Sequence, residues 1–402
     1  MNSTRRIQQN LARRHAKERR FRALGLGALA FAAAMLLLLI GSILPRGISG
    51  LTREELRLDI TPAQQEGGDF YGLTHAVLRS TLPENVPEAD RPQLYRLLGF
   101  FAHDEVRDEV LRHPGAAQVT VWVPFADTAT LALQGHDSNL TGQQLHWIDR
   151  WKQDGRIRRG FDWGFFTHGD SRAPEAASFG SAIVGSLWLL FICMVVALPG
   201  SLLAALYLEE FAAKNRFSEW LEIAINNLAA VPSIIYGLLG LSVFLQWFGL
   251  PRSAPLVGGL TMAMLVMPVM IIAARAAIRA VPPSMRQAAA GLGASPIQVV
   301  RDHVLPYALP GIMTGTILSF CRAIGETAPL LMIGMVAFVA DVPRSPIDAA
   351  TAMPVQIYLW ASSPELGYAG KTAAGILVLL AILLLLNMVA ITVRRRMQRH
   401  WN

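Results

Sequence analysis

Two residues of opposite charge interrupt a long apolar stretch of this 402-residue chain. Arg322 and Glu326 are four residues apart, so a helix would place them on one face. A charge at the centre of a bilayer costs about 2.5–3.5 kcal/mol on insertion scales, and such charges commonly mark ion or substrate paths. A guanidinium group can also bind a tetrahedral oxyanion through two parallel hydrogen bonds. We therefore assign Arg322, Glu326 and the adjacent Thr327 to a candidate substrate pathway.

The same pair also has a purely structural interpretation, because many membrane bundles contain ion pairs that only hold helices together. An arginine held by Glu326 is not free to bind an anion, so direct contact with substrate requires the pair to open. Counted from Pro306, Arg322 lies about 24 Å along a helix, deep in the bilayer or somewhat past its midplane. We expect Pro329 to bend or end this helix, and Gly325 to permit the close approach of another helix or a ligand.

The stretch from Pro282 to Pro306 has the signals of two short helices joined by a tight turn. Pro283 can open the first helix, since the first turn needs no backbone donors. Gly293 supplies the left-handed backbone that ends it, and Ser295 caps the second helix. A small alanine-faced helix between membrane spans suits docking into a groove on a partner protein. The alternative is a plain connector, although connections between helices are usually about 2 to 8 residues long.

Composition places these motifs in a membrane protein. Hydrophobic residues make up 52% of the chain and charged residues 16%, against about 25% charged in soluble domains. Spanning the hydrocarbon takes about 20 apolar helical residues. Six stretches are long and apolar enough, and one of them is interrupted only by Arg322 and Glu326. They are 23–44, 179–208, 223–251, 253–274, 304–340 and 372–393.

Basic residues flank these spans, which favours membrane topology over nucleic-acid binding. They form no stripe interleaved with aromatic residues of the kind that binds single strands. With both termini in the cytoplasm, the basic arm 1–22, the segment 275–301 and the tail 394–402 all lie on the side that the positive-inside rule predicts. The first apolar run is longer than a signal-peptide core and ends in Leu44-Pro45-Arg46, so we interpret it as a retained anchor.

Residues 45–178 separate the first two spans and therefore form a domain on the outer side of the membrane. Helical periodicity over 91–113 and 139–154, with strand-like alternation over 118–123, predicts a small α+β domain. Its histidines are scattered, so we predict no metal site and no catalytic site there. A docking or sensing surface is the expected role. The aromatic residues within 161–166 are typical of a membrane-interface belt.

These observations predict an all-α polytopic membrane protein with six transmembrane helices and a small α+β insertion between helices 1 and 2. The bundle proper covers 179–393, and the helix pair at about 284–304 lies on its cytoplasmic side. The chain has no Gly-x-x-x-x-Gly-Lys-Ser/Thr loop, so it cannot bind the phosphates of ATP itself. Its two cysteines, Cys193 and Cys321, lie in apolar runs, and we interpret them as small buried residues.

The stretch 287–306 resembles the coupling motif of ABC importer permeases, which reads Glu-Ala-Ala, three residues, Gly, nine residues, Ile, one residue, Leu-Pro. Gln287-Ala288-Ala289 and Gly293 match its first half, and His303 to Pro306 fall on its second half at the same spacing. The family's glutamate is Gln287 here, and its isoleucine is His303. The resemblance implies that Gln287, Ala288, Ala289 and Gly293 couple the chain to a separate ATPase.

The segment Arg322–Leu330 resembles the signature of PstA-type phosphate permeases. Ala230–Leu238 and Ala182–Leu187 resemble the same family, and the likeness runs from about residue 161 to 393. It implies the type I ABC importer permease fold in a bacterial cell inner membrane, with residues 45–178 in the periplasm. The expected partners are a PstC-type permease subunit, two ATPase subunits and a periplasmic phosphate-binding protein. The chain itself would bind no cofactor, because ATP and Mg²⁺ belong to the ATPase.

Two alternatives to phosphate import stay open at this point. One is a permease for another oxyanion, such as sulfate, molybdate or phosphonate, since the coupling motif fits all of them. The other is a membrane phosphate sensor, in which the outer domain receives the signal. A pure sensor would not need the helix pair at 284–304 and would normally carry a cytoplasmic output domain. The resemblance also implies that importers of this type report phosphate status to a signalling system.

Overall fold

The computed structural model describes residues 3–61, 68–83, 86–113, 115–136 and 138–399. Its helices are α1 Ser3–Gly50, α2 Phe70–Ser80, α3 Arg91–Tyr95, α4 Ala102–Arg112, α5 Asp127–Leu133, α6 Gly142–Gln153, α7 Gly164–Thr167, α8 Gly180–Leu206, α9 Arg216–Ala229, α10 Ser233–Gly240, α11 Pro255–Arg279, α12 Pro283–Gly291, α13 Pro296–Val299, α14 Leu305–Gly325, α15 Ala328–Met332, α16 Met353–Ala361 and α17 Gly367–Arg399. The strands are β1 Thr52–Ile60, β2 Val119–Pro124 and β3 Ile157–Phe161. Wider π-helical turns continue three of the helices, at Tyr207–Phe211, Leu241–Trp247 and Val300–Val304.

Five helices in the described residues are long and apolar enough to cross a membrane. A sixth span is counted when α9 and the α10 segment, which form a bent pair, are taken together. That total agrees with the six predicted spans. The five single spans are His15–Gly50, Gly180–Phe211, Pro255–Arg279, Pro296–Gly325 and Gly367–Arg396.

The span predicted over 223–251 is strongly bent. The chain turns through 101° between Arg216–Ala229 and Ser233–Trp247. Pro232 lies at the break with an extended backbone, φ −56° and ψ 138°. Proline has no N–H to donate, and its ring clashes with the carbonyl four residues earlier, so a helix entering from α9 ends here.

The span predicted over 304–340 is not one continuous helix, and the bend or end expected at Pro329 is confirmed. Helix α14 ends at Gly325, and Glu326 takes an extended conformation with ψ 121°. Pro329 explains the end, because its ring would clash with the carbonyl of Gly325, four residues earlier. The chain then forms the short helix α15 and an irregular segment before α16 begins. At its other end, α14 continues without a break from α13, so the second of the two predicted short helices is the start of this span.

The first span is longer than predicted and ends close to the last one. Helix α1 continues through Pro45 to Gly50, and β1 of the outer domain follows directly. A Cβ atom at Gly50 would overlap the backbone oxygen of Gly370 in α17. Only glycine therefore permits α1 and α17 to cross this closely at their outer ends.

The centre of the bundle consists of α8, α11 and α14. Their interface is formed by small and aliphatic side chains, and a Cβ atom at Gly259 of α11 would lie 2.6 Å from Cβ of Ile192 in α8. The fully or nearly fully buried members of this core include Leu189, Cys193, Ala197, Met262, Val266, Ala323 and Ile324. Cys193 is buried as predicted, whereas Cys321 is partly exposed and donates from Sγ to Asn387 Oδ1 at 2.7 Å.

The outer domain is α+β, as predicted. Its antiparallel sheet has the order β2-β1-β3, with Leu56 opposite Val123 on one side and Ile157 on the other. Leu56, Leu58 and Ile60 point to one face and are fully buried against the helices. The strand predicted at 118–123 is β2, and the helix predicted at 139–154 is α6.

The single helix predicted over 91–113 is wrong, since α3 and α4 are separated at 96–101. Leu97 and Leu98 lie in this break and still contribute apolar contacts, and Leu97 is fully buried. The spacing of apolar residues alone does not distinguish two short helices joined by a break from one continuous helix.

Candidate functional site

Helix α12 and the turn after it form the first candidate site. Pro282 precedes α12 as predicted, and Gly293 ends the turn with φ +88°. The Ser295 hydroxyl accepts from Gln298 N, while the Ser295 N–H donates to Gln298 Oε1 at 2.8 Å. This reciprocal pair is a capping box, which fixes the start of α13. The predicted helix–glycine turn–helix arrangement is therefore confirmed.

The structure separates the four predicted coupling residues by their exposure. Gln287, Ala288 and Gly293 are exposed, and nothing lies within 4 Å of a Cβ atom built on Gly293. Ala289 is only 4% exposed and faces the bundle's own core. Ala289 therefore holds α12 on the bundle, whereas the other three are open to a partner.

Two apolar side chains beside this turn were missed by sequence reasoning. Leu292 is 91% exposed and Ile297 is 69% exposed. Leu292 directly precedes Gly293, and Ile297 follows it four residues later, in α13. Large apolar side chains this exposed outside a bilayer are typical of a docking surface. We call Gln287, Ala288, Leu292, Gly293 and Ile297 the turn surface.

Charged residues behind the turn surface connect four helices, and sequence reasoning missed them as well. Arg275 Nε lies 2.6 Å from Glu209 Oε1, and Arg275 Nη2 lies 2.8 Å from Glu222 Oε2. Arg279 contacts the same two carboxylates. Arg286 of α12 contacts Glu210 at 2.8 Å. The sequence did contain a signal for these contacts. Two adjacent glutamates follow the apolar part of α8, and two arginines lie in the last turns of α11.

The predicted Arg322–Glu326 pair is present, at the outer end of α14. Arg322 Nε lies 3.3 Å from Glu326 Oε1, with 43% and 22% of the two side chains exposed. Within the described residues this is the one hydrogen bond of the Arg322 guanidinium, so its other N–H groups are available. Leu318, Arg322 and Gly325 are exposed along the same side of α14, and Gly325 has nothing within 4 Å of a built Cβ atom.

The structure brings together two of the segments that sequence analysis singled out. A Cβ atom at Gly237 in α10 would lie 2.7 Å from Cα of Pro329 in α15. Tyr236 OH donates to Leu228 O at 2.7 Å, across the 101° bend. Thr327 directly precedes α15 and is partly exposed. The short helices α10 and α15 thus pack side by side, and α15 begins shortly after Arg322 in the chain.

No site for a metal ion is found in the parts of the chain that the structure describes, where no group of three or more His, Cys, Asp and Glu side chains could hold one. Two of the histidines instead belong to an aromatic cluster in the outer domain. His75 stacks on Tyr95 with ring centres 3.6 Å apart, and Tyr71 lies between His75 and His103.

Family comparison assigns the two halves of the chain separately. Residues 197–400 match the family described as binding-protein-dependent transport system inner membrane component. The chain belongs to this family of membrane transport components. Residues 8–142 match a domain of unknown function, DUF3333, which comprises α1 and most of the outer domain.

Individual relatives are phosphate permeases and other ABC permeases. The chain is 30% identical over 235 residues to the phosphate transport system permease protein PstA 1 of Mycobacterium tuberculosis H37Rv, covering 58% of this chain and 75% of that one. It is 34% identical over 223 residues to the phosphate transport system permease protein PstC of Pasteurella multocida, covering 48% and 67%. It spans 56% of the Bacillus subtilis protein named "Probable ABC transporter permease protein YqgI", at 31% identity.

Chains of two solved ABC transporters align with about half of this chain. An inward-facing methionine transporter MetNI chain aligns with 54% of this chain and 93% of its own, at 18% identity and a TM-score of 0.41. A bacterial alginate transporter chain aligns with 54% of this chain and 79% of its own, at 19% identity and the same TM-score of 0.41.

Proposed function

We propose that this chain is a permease subunit of an ATP-driven importer of inorganic phosphate. The observation that carries the proposal is the 30% identity to a phosphate permease over 235 residues, three quarters of that protein's length. The exposed guanidinium of Arg322 supports the substrate class, because its free N–H groups suit a tetrahedral oxyanion. The chain performs no covalent chemistry in this account.

A second permease subunit would complete the path. The side of α14 that carries Leu318, Arg322 and Gly325 is exposed in this chain, although it holds a charge. A charged face is costly against lipid but suits a water-filled path between two subunits. We propose a PstC-type subunit as the partner on this side. Phosphate would displace Glu326 from Arg322 as it passes, with Thr327 as a further hydrogen-bond partner.

The turn surface would dock on a separate ATPase, and two ATPase subunits would serve the two permeases. ATP and Mg²⁺ would be bound there and not by this chain. This arrangement places both termini in the cytoplasm and the outer domain in the periplasm, where a phosphate-binding protein would deliver the substrate. Closure of the ATPase dimer would displace α12, and the spans would then open the path alternately to each side.

ATP hydrolysis by the reconstituted complex tests this assignment without following transport. The complex would contain this chain, its candidate permease partner and the ATPase, with the candidate binding protein added loaded or empty. We expect phosphate-loaded binding protein to stimulate hydrolysis, and the empty protein or the same protein incubated with sulfate to do so much less. Equal stimulation by sulfate would favour another oxyanion. A complex that never assembles with an ATPase would contradict the permease assignment itself.

A further inference from the structure

Arg286 joins α12 to the ends of two membrane spans. Its Nη2 donates to Glu210 Oε1 at 2.8 Å, and its Nε reaches the same oxygen at 3.2 Å. Its Nη1 donates to Val281 O at 2.6 Å and its Nη2 to Ile278 O at 2.9 Å. Ile278 lies in the last turn of α11, and Val281 lies two residues after its end. One guanidinium therefore contacts the end of α8 and the end of α11 at once.

The other contacts of α12 with the bundle are weak by comparison. Arg286 is the single charged residue of α12. Ala289 is its one fully buried side chain and offers only a methyl group, while Gln287 and Ala288 point outward. Apart from Arg286, this small helix is held by the Ala289 methyl group, the partly buried Met285 side chain and its chain connections, so without the Arg286 contacts it can shift without carrying its neighbours along.

The helices beyond Arg286 are firmly connected to one another. Glu209, adjacent to Glu210, lies between Arg275 and Arg279 of α11, and both arginines also contact Glu222 of α9. Arg275 and Glu209 are nearly buried. Charged hydrogen bonds in such surroundings are stronger than in water. Any displacement that reaches Glu210 is thus passed to three spans.

We propose that Arg286 and Glu210 are a positioning pair that makes α12 and the end of α8 move as one body during the transport cycle. The inference rests on the proposed docking of the turn surface on an ATPase. Arg286 does not belong to that surface, so removing its side chain leaves docking intact. What is lost is the transmission of movement from α12 to α8.

Pulsed EPR distances between nitroxides at Ser284 and Leu203 test this inference directly. Both positions are exposed, one on α12 and one on α8. Cys193 and Cys321 are replaced by serine or alanine, so that only the two labels react. The assembled complex is measured without nucleotide and with trapped ATP, for the wild-type pair, Arg286→Gln, Glu210→Ala and Arg286→Lys. Arg301→Gln is the matched control, because Arg301 is exposed and among the described residues pairs only with its neighbour Asp302.

We expect an unchanged distance on ATP binding in the wild-type pair and in Arg301→Gln. Arg286→Gln and Glu210→Ala should show a shifted or broadened distribution, and Arg286→Lys should restore much of the wild-type behaviour. Phosphate moved per ATP hydrolysed should fall about tenfold in Arg286→Gln, the scale of losing a charge-assisted hydrogen bond. Distances that respond identically in all variants would overturn the inference, as would loss of the ATPase from the Arg286→Gln complex. The distances require no phosphate, so they remain decisive if another substrate is found.

Discussion

At the scale of single residues, the role of Arg322 depends on the contacts that hold its side chain. The sequence allowed two roles, a substrate contact or a structural ion pair. In the structure the pair rests on one hydrogen bond at 3.3 Å, and 43% of the Arg322 side chain is exposed. The other N–H groups of the Arg322 guanidinium have no protein partner among the described residues, so they are available to an anion in a water-filled path.

Replacing Arg322 separates the two roles. Arg322→Ala should reduce phosphate uptake about tenfold or more, because charge-assisted hydrogen bonds to the anion are lost. Arg322→Lys keeps the positive charge but cannot form the bidentate hydrogen bonds of a guanidinium group, so its rate of phosphate uptake should be intermediate. Uptake is measured in proteoliposomes, with co-purification of the partner subunits as the control for assembly. Wild-type uptake by the alanine variant would leave the pair a structural role only.

Gly293 offers a second test at this scale. Its φ of +88° is unfavourable for residues with a Cβ atom, while space around it is open. Gly293→Val should therefore distort the turn through its backbone, at a cost of about 1–2 kcal/mol. Asparagine tolerates this region better, so Gly293→Asn is the matched control. We expect the valine variant to bind less ATPase on co-purification than the asparagine variant, and equal recovery of ATPase would contradict a docking role for the turn.

At the scale of helices and strands, most spans could be predicted and their ends could not. Hydropathy over about 20 residues detects a span but averages over a single proline. Pro232 ends a helix inside a stretch that looked continuous, whereas the interruption at Pro329 was expected from the sequence. The short helices α10 and α15 that follow these breaks pack together, which the sequence did not predict.

The turn after α12 was predictable because its signals are local. Proline, glycine and serine each act on their own backbone, so Pro283, Gly293 and Ser295 specify the turn without tertiary information. Which face of α12 is buried depends on the helices behind it. The position of Ala289 in the core, and the contacts of Arg286, therefore could not be derived from the motif.

Strand β1 was missed although its pattern is clear in retrospect. Leu56, Leu58 and Ile60 alternate with Arg57 and Asp59, the period of a half-buried strand. It was missed because the elements predicted for the outer domain covered only 91–113, 118–123 and 139–154. Strand β3 had a different obstacle, since its aromatic end fits a membrane-interface belt equally well.

At the scale of the whole molecule, the outer domain rests on the ends of α1 and α17. Lys371 Nζ contacts Asp162 Oδ2 at 2.9 Å, and both side chains are nearly buried. A cavity of about 740 Å³ lies beside this contact and is lined by both parts of the chain, including Asp127, Glu175 and Glu365. Breaking a buried pair by removing one partner typically costs about 3–5 kcal/mol. The domain is therefore fixed to the bundle and not loosely tethered.

This junction should respond to pH. Burial, together with Glu175 and Glu365, raises the pKa of Asp127 to about 6, while Lys371 acts in the opposite direction. Because the folded state holds the proton more tightly, its stability is greatest below the ordinary pKa of Asp127 and falls as pH rises towards 6. Asp127→Asn should remove this contribution, so the variant should unfold at a higher temperature at pH 7 than the wild type.

The measurement is thermal unfolding of the purified protein in detergent at pH 5 and pH 7. Asp149→Asn is the matched control, since Asp149 is exposed on α6. Its pH dependence should equal that of the wild type, whereas Asp127→Asn should show a smaller difference between the two pH values. If Asp127→Asn unfolds at a lower temperature than the wild type at pH 7, the ionised carboxylate stabilises the junction, which contradicts this prediction.

The central claim, that the chain is part of a phosphate importer, is tested most directly by uptake of labelled phosphate. Proteoliposomes would hold this chain with its partner permease and ATPase, with ATP inside, binding protein outside and excess unlabelled sulfate as competitor. We predict uptake that requires ATP and the binding protein and that sulfate does not reduce. A complex that hydrolyses ATP yet moves no phosphate, or loses uptake to sulfate, would contradict the claim.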